Sequence, residues 1–103
     1  MRFDPLIHQP TRLRIMAYLA GLGDDAAVEF GALQEALDLT EGNLSRHLSK
    51  LEEAGYLRVI KGYEKRRPRT WVQLSGSGRD ALNEHLRALE EIARQARYAK
   101  EEA

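Results

Sequence analysis

The stretch TEGNLSRHLSKLEEAGYLRV, residues 40 to 59, sets short hydrogen-bonding side chains and cations at helical spacing. Leu44, Leu48 and Leu51 recur at i, i+4 and i+7, which makes one apolar ridge. Turned about 100° per residue from that ridge, Gly42, Arg46, Ser49 and Glu53 point directly away, with Asn43, Ser45 and Lys50 on the shoulders. The first two turns of the polar face are therefore slim or basic. A helix laid in the major groove of duplex DNA needs slim residues for close backbone approach, donors for base edges and cations for phosphate. Its first N–H groups, behind Thr40 as N-cap, also suit a phosphate. Gly42 is a poor helix residue on propensity alone. A solvated face could look the same, so this helix does not by itself decide between groove and water.

A second cluster shifts the balance. Between Lys61 and Arg69 stand five basic residues (Lys61, Lys65, Arg66, Arg67, Arg69) against the single acid Glu64. Such crowding of one sign is self-repelling, which a merely solubilising loop does not call for. Planar guanidinium groups suit phosphate, and arginine also suits a narrow minor groove. The expected nucleic-acid contacts are thus Thr40, Gly42, Asn43, Ser45, Arg46, Ser49 and Lys50 on the helix, with Lys65, Arg66, Arg67 and Arg69 on the loop. Tyr63 and Trp71 could stack on single-stranded bases. The hairpin pattern around Trp71 favours packing instead. His47 falls at the edge of the apolar ridge and reads as a structural hydrogen-bonding residue.

The chain of 103 residues has the length of one domain, and its charge balances at 16 basic and 16 acidic residues. The distribution does not balance. Residues 41 to 73 hold eight basic residues against four acids, net +4, so the remainder carries net −4. With no cysteine there is no disulfide framework, thiolate metal site or thiol nucleophile. His8, His47 and His85 are widely separated and show no ligand spacing. Neither a nucleophile elbow nor a phosphate-binding glycine loop occurs, so no enzymatic activity, metal or cofactor is expected. MRFDPLIHQP lacks the apolar core of a signal peptide and no later run approaches a bilayer span, so a soluble, cytoplasmic protein is expected.

These groups must be carried on a scaffold. Asp4-Pro5 and Gln9-Pro10 place prolines at first helical positions, predicting a short turn and then a helix over about 10–20 with Leu13, Met16, Ala17 and Ala20 inward. Val28 to Phe30 allows only a minimal strand. GALQEALDL gives a second helix, joined through Asp38-Leu39 to the helix after Thr40, which Gly55 closes with Tyr56 set to contact Leu51. Beyond it the period becomes two: Leu57 and Val59, then Thr70, Val72 and Leu74, predict a β-hairpin. Its connection, roughly Gly62 to Arg69, reads as longer than a tight turn. Ser75 caps a last helix running toward Lys100.

That last helix carries Leu82, Leu86, Leu89, Ala93 and Ala96 at spacings of 4, 3, 4 and 3, a heptad seam. With a compact core expected to end near residue 80, the seam outruns the surface available to cover it. A homodimer through these five residues is expected. The fold class that results is α+β, mostly α: a winged helix-turn-helix over 1–79, with a two- to three-stranded antiparallel wing, and a long C-terminal dimerisation helix over 80–103 in the same compact unit.

LSRHLSKLEEAGYL, RRPRTWVQLSGSGRDAL and PLIHQPTRLRIMAYL resemble the MarR/ArsR-type winged helix-turn-helix transcriptional regulators, particularly their small single-domain members, over about residues 5 to 90. The resemblance implies a homodimeric, sequence-specific binder of double-stranded DNA, with the helix after Thr40, about 41–54, in the major groove and the wing, 61–69, on the minor groove or backbone. It differs from metal-sensing ArsR proteins in lacking their cysteines or clustered ligands. It also has little room for the effector pocket of longer MarR proteins. A-form RNA, whose deep narrow groove excludes a reading helix, is a poor partner. The competing expectation is a winged-helix protein–protein interaction module within a larger complex, for which a cationic wing is unnecessary.

Overall fold

A computed structural model describes residues 2–102, with side chains described for 2–98. Two capped starts open the chain. Asp4 Oδ1 accepts from the Leu6 N–H at 3.0 Å to begin α1 (Pro5–His8), and Gln9 Oε1 accepts from the Arg12 N–H at 2.8 Å to begin α2 (Pro10–Gly21). Each helix has its proline at N1, where the missing N–H costs nothing. The inward side of α2 is Ile15, Met16 and Leu19, flanked by half-buried Leu13 and Ala20. Ala17, expected inside, is exposed, because the bulkier residues pull the buried stripe to their own side.

β1 (Ala27–Glu29) is a three-residue strand, and Phe30 begins α3 (Phe30–Leu37) rather than ending the strand. Asp38 closes α3 in the left-handed region at φ 54, a conformation aspartate tolerates better than most residues. That residue, Leu39 and the extended Thr40 turn the chain into α4 (Glu41–Glu53). Thr40 Oγ1 accepts the Asn43 N–H at 3.2 Å, and Leu44, Leu48 and Leu51 are buried as one ridge. Gly55, at φ +80, ends α4 in a Schellman motif: the Tyr56 N–H donates to Leu51 O at 3.0 Å and the Gly55 N–H to Glu52 O at 2.9 Å.

β2 (Leu57–Glu64) and β3 (Arg67–Leu74) form the hairpin, and the antiparallel sheet runs β1-β3-β2. The connection is shorter than its sequence suggests. Glu64 pairs with Arg67, leaving Lys65 and Arg66 as a two-residue turn, both at positive φ (51 and 67) as a type I′ hairpin turn requires. With no glycine or asparagine there, the turn has no local signal. The paired strands impose it. Pro68 sits opposite Tyr63, at a position where the two-residue turn directs its missing N–H away from β2.

The inner sheet face, with Leu57, Val72 and Leu74, joins Ile7, Ile15, Met16, Leu19, Leu33 and the α4 ridge in one core. Trp71 packs outside that core. It faces outward between Ile60 and Glu29, over Gly62, where an added Cβ would meet its ring at 3.2 Å.

Ser75 Oγ accepts the Gly78 N–H at 2.9 Å and caps α5 (Gly76–Glu102), which runs unbroken across residue 80. Its inward side continues through Leu82, His85 and Ala88, so the core reaches beyond residue 80. Leu82 is 2 % exposed and belongs to the chain's own core, contrary to its expected place in the seam. Leu86 and Ile92, at 37 % and 42 %, face solvent. Leu89 and Ala93 are half-buried and Ala96 is exposed. The molecule measures 63 × 25 × 22 Å.

Candidate nucleic-acid interface

The outward face of α4 bears the expected residues. Gly42, Ser45, Arg46, Ser49 and Lys50 are exposed and Asn43 half-exposed. Arg46 donates from Nη2 to Asn43 Oδ1 at 3.0 Å, one turn back on the same face, so the longest donor is held across the first two turns. Thr40 uses its hydroxyl oxygen in the cap. A Cβ at Gly42 would meet nothing within 4 Å, so no neighbour in the protein demands a glycine there.

His47 and its partner on α2 fix the angle of this helix. His47 is 5 % exposed, and Arg12 Nη1 lies 3.2 Å from its Nδ1. A guanidinium only donates, so Nδ1 holds a lone pair and the neutral ring carries its proton on Nε2. Burial first, then Arg12, Arg46 and Lys50, hold the His47 pKa below its ordinary value. The Arg12 Nε donates to Leu6 O, so one side chain ties α1, α2 and α4 together. Neither role of Arg12 has a sequence signature. The Arg14 guanidinium similarly donates to Leu37 O, at 3.0 Å, holding the end of α3.

Beside α4 lies a cleft whose other wall is the wing. Ser45, Ser49 and Glu52 face Val59, Lys61 and Thr70 across it, and Glu52 Oε2 accepts the Val59 N–H at 3.1 Å, fixing the hairpin to the helix. Lys65, Arg66 and Arg67 are exposed at the tip. Arg69 is set apart from them: its Nη1 lies 3.3 Å from Glu29 Oε1, so β1 draws it back onto the sheet and partly neutralises it. Tyr63, 77 % exposed, extends the face that carries Lys61. It is the large apolar group at the tip that a phosphate-only reading leaves unused.

His8 and His85, far apart in sequence, meet in space with Nδ1 and Nε2 3.4 Å apart. Among the described residues, no group of three or more histidine, cysteine or carboxylate side chains could hold a metal. Nor, among them, is any helix long and apolar enough to cross a membrane.

Two helices joined by a tight turn, a three-stranded sheet ending in a cationic hairpin beside the second of them, and a long last helix define a winged helix-turn-helix protein. Residues 11–93 match the family model of the winged helix DNA-binding domain, and the chain belongs to that family. It is 37 % identical over 81 residues to an uncharacterized protein of Methanocaldococcus jannaschii, covering 79 % of this chain and 85 % of that one. The structure of a transcriptional regulator homologue from Pyrococcus horikoshii OT3 superposes with a TM-score of 0.81 at 31 % identity, over 88 % of this chain and 87 % of that one. A MarR-family protein of Enterococcus faecalis V583 shares the fold, with a TM-score of 0.70 at 24 % identity over 95 % and 84 % of the two chains. The winged helix-turn-helix resemblance read from residues 5 to 90 thus holds, and the fold is shared with a MarR-family protein.

Proposed function

We propose that the protein is a homodimeric transcriptional regulator that binds a roughly palindromic duplex site, with α4 in the major groove and the wing tip on the flanking minor groove or backbone. It works by binding alone, without catalysis. The observation that carries this reading is the bare backbone at Gly42 on the same outward face as Arg46 and Ser49, beside a hairpin tip of three exposed cations. Open space over a helical glycine costs helix stability and gains the free protein nothing. Close approach of a groove wall gives it a use. The homodimer part rests on α5, whose Leu86, Leu89, Ile92 and Ala93 continue an apolar stripe past the end of the protomer's own core.

The two DNA-facing elements supply different energies, and selection from a random duplex pool followed by affinity measurements separates them. Wild type should enrich one motif. Arg46→Ala should cost about 1 to 3 kcal/mol on that motif and relax one base position in each half-site. Arg66→Ala with Arg67→Ala should weaken selected and scrambled duplexes alike, reducing the slope of log K against log salt by about 0.9 for each phosphate no longer neutralised. If the wing variant alone loses discrimination, the roles are reversed. If wild type enriches nothing, the polar face of α4 is a wetted surface and an interaction module is the better reading.

A further inference from the structure

A hydrogen-bonded chain joins α5 to the end of the reading helix, and Asp4 is its hub. The Asp4 N–H donates to His85 Nδ1 on α5 at 3.0 Å, and its Oδ1 caps α1. Its Oδ2 accepts the Tyr56 hydroxyl at 2.7 Å. Tyr56 is the residue whose own N–H closes α4 on Leu51 O. His85 is fully buried, its Nε2 lies 3.4 Å from His8 Nδ1, and Phe3 packs on both rings with centroids 4.5 and 5.1 Å away.

The donors fix the protonation of this chain. A backbone N–H only donates, so His85 Nδ1 must offer a lone pair. Neutral His85 then carries its proton on Nε2 and gives it to His8 Nδ1, which must also be a lone pair. A proton added to His85 sets N–H against the Asp4 N–H, and one added at His8 Nδ1 sets N–H against His85 Nε2–H. The chain closes only when both rings are neutral.

The surrounding charges agree with that state. Burial first, then His8, hold the His85 pKa below 6.5, with the Asp4 carboxylate acting the other way. Glu84, next along α5, pairs with Arg2 at 3.9 Å. From α2, packed on α5, Arg12 is engaged by Leu6 O and His47, and Arg14 by Leu37 O. The Tyr56 hydroxyl, pushed up to about 12 chiefly by its hydrogen bond to Asp4, remains a donor throughout.

We propose that Asp4, His85 and Tyr56 are positioning residues that brace the reading helix from α5, and that protonation of His85 releases residues 2–8 and weakens DNA binding. The second half rests on the DNA-binding reading above. Because the braced state holds the His85 pKa down, the released state takes up the proton more readily. The brace is therefore whole above about pH 6.5 and is lost as pH falls below it, by up to about tenfold per pH unit for each proton taken up. Added positive charge alone would tighten a protein's hold on a polyanion. Acid weakening is the opposite sign.

The test measures affinity for the selected duplex between about pH 7.5 and 5.5 on wild type, His85→Asn and Tyr56→Phe, with imidazole ¹⁵N spectra of wild type over the same range. Wild type should bind measurably more weakly at the acid end of that interval than at the neutral end. His85→Asn keeps an amide oxygen to accept the Asp4 N–H but does not titrate, so its acid response should be smaller than that of wild type. His47 titrates in both proteins, and the comparison removes it. Tyr56→Phe should bind several-fold more weakly at neutral pH, with the acid response gone. The ¹⁵N spectra should show His85 with Nε2 protonated and Nδ1 bare at neutral pH, and loss of that tautomer on acidification. A protonated Nδ1 at neutral pH, or matching profiles for wild type and His85→Asn, overturns the proposal. Should His85→Asn fail to fold, the wild-type spectra and Tyr56→Phe decide. Should no duplex be selected at all, the DNA reading fails while the spectra still report on the brace.

Discussion

Replacing Leu86 and Leu89 together by glutamate should convert the protein to a folded monomer and remove binding to its selected duplex. Leu86 is 37 % exposed and Leu89 half-buried, and neither belongs to the core cluster that Leu82 joins. Little of the protomer's own core depends on them. In a two-fold interface each substitution counts twice, so four leucines are removed at about 1.5 kcal/mol or more apiece, on the order of 6 kcal/mol. About ten-thousandfold in dimer dissociation follows, before any repulsion among the new carboxylates. Sedimentation should show a monomer, circular dichroism an unchanged helical content, and titration no specific complex, because one half-site is gone. Leu82→Glu serves as the contrast. It puts a charge into the core and should unfold the domain. A double variant that stays dimeric would place the interface elsewhere.

Gly78→Ala should be the most damaging conservative change in the chain. A Cβ at this position in the first turn of α5 would lie 1.9 Å from Tyr56 O and 2.7 Å from Tyr56 C, both backbone atoms that cannot rotate away. The surrounding hydrogen bonds are tight as well. The Ser75 N–H donates to Tyr56 O at 3.1 Å, and the Ser75 and Ser77 hydroxyls both donate to Gly55 O, at 2.6 and 2.8 Å. Moving α5 to admit the methyl therefore breaks the junction that closes α4. We expect a loss of about 3 kcal/mol, and roughly 10 to 20 °C in Tm. Alanine normally favours a helix over glycine by nearly 1 kcal/mol. Calorimetry that found Gly78→Ala neutral or stabilising would contradict the packing of α5 on the Gly55–Tyr56 corner.

The parts of this molecule that can be read from sequence are those whose causes are local. Thr40 as cap, the Leu44, Leu48 and Leu51 ridge and the Gly55 ending all lie within one helix and its flanks, and each appears where its neighbours dictate. The wing turn lies equally close in sequence yet has no signal, because Lys65 and Arg66 are held at positive φ by strand pairing. The α5 stripe is ambiguous for another reason. An apolar seam can be covered by the chain's own core or by a second chain, and spacing alone does not tell that Leu82 is buried in the core while Leu86 faces solvent. Arg69 belongs to the basic run by sequence, but β1 brings Glu29 to it across the sheet. His8 and His85 join only because α1 folds back on α5. Gly78 looks like an indifferent helix residue until the Tyr56 carbonyl is in place against it.

Hydroxyl-radical footprinting of the wild-type protein on its selected duplex tests the two-fold reading mode directly. Two protected patches on one face of the duplex, related by a dyad and centred about 34 Å or one helical turn apart, are the expected result. A single unpaired patch, or uniform protection without sequence preference, would contradict it.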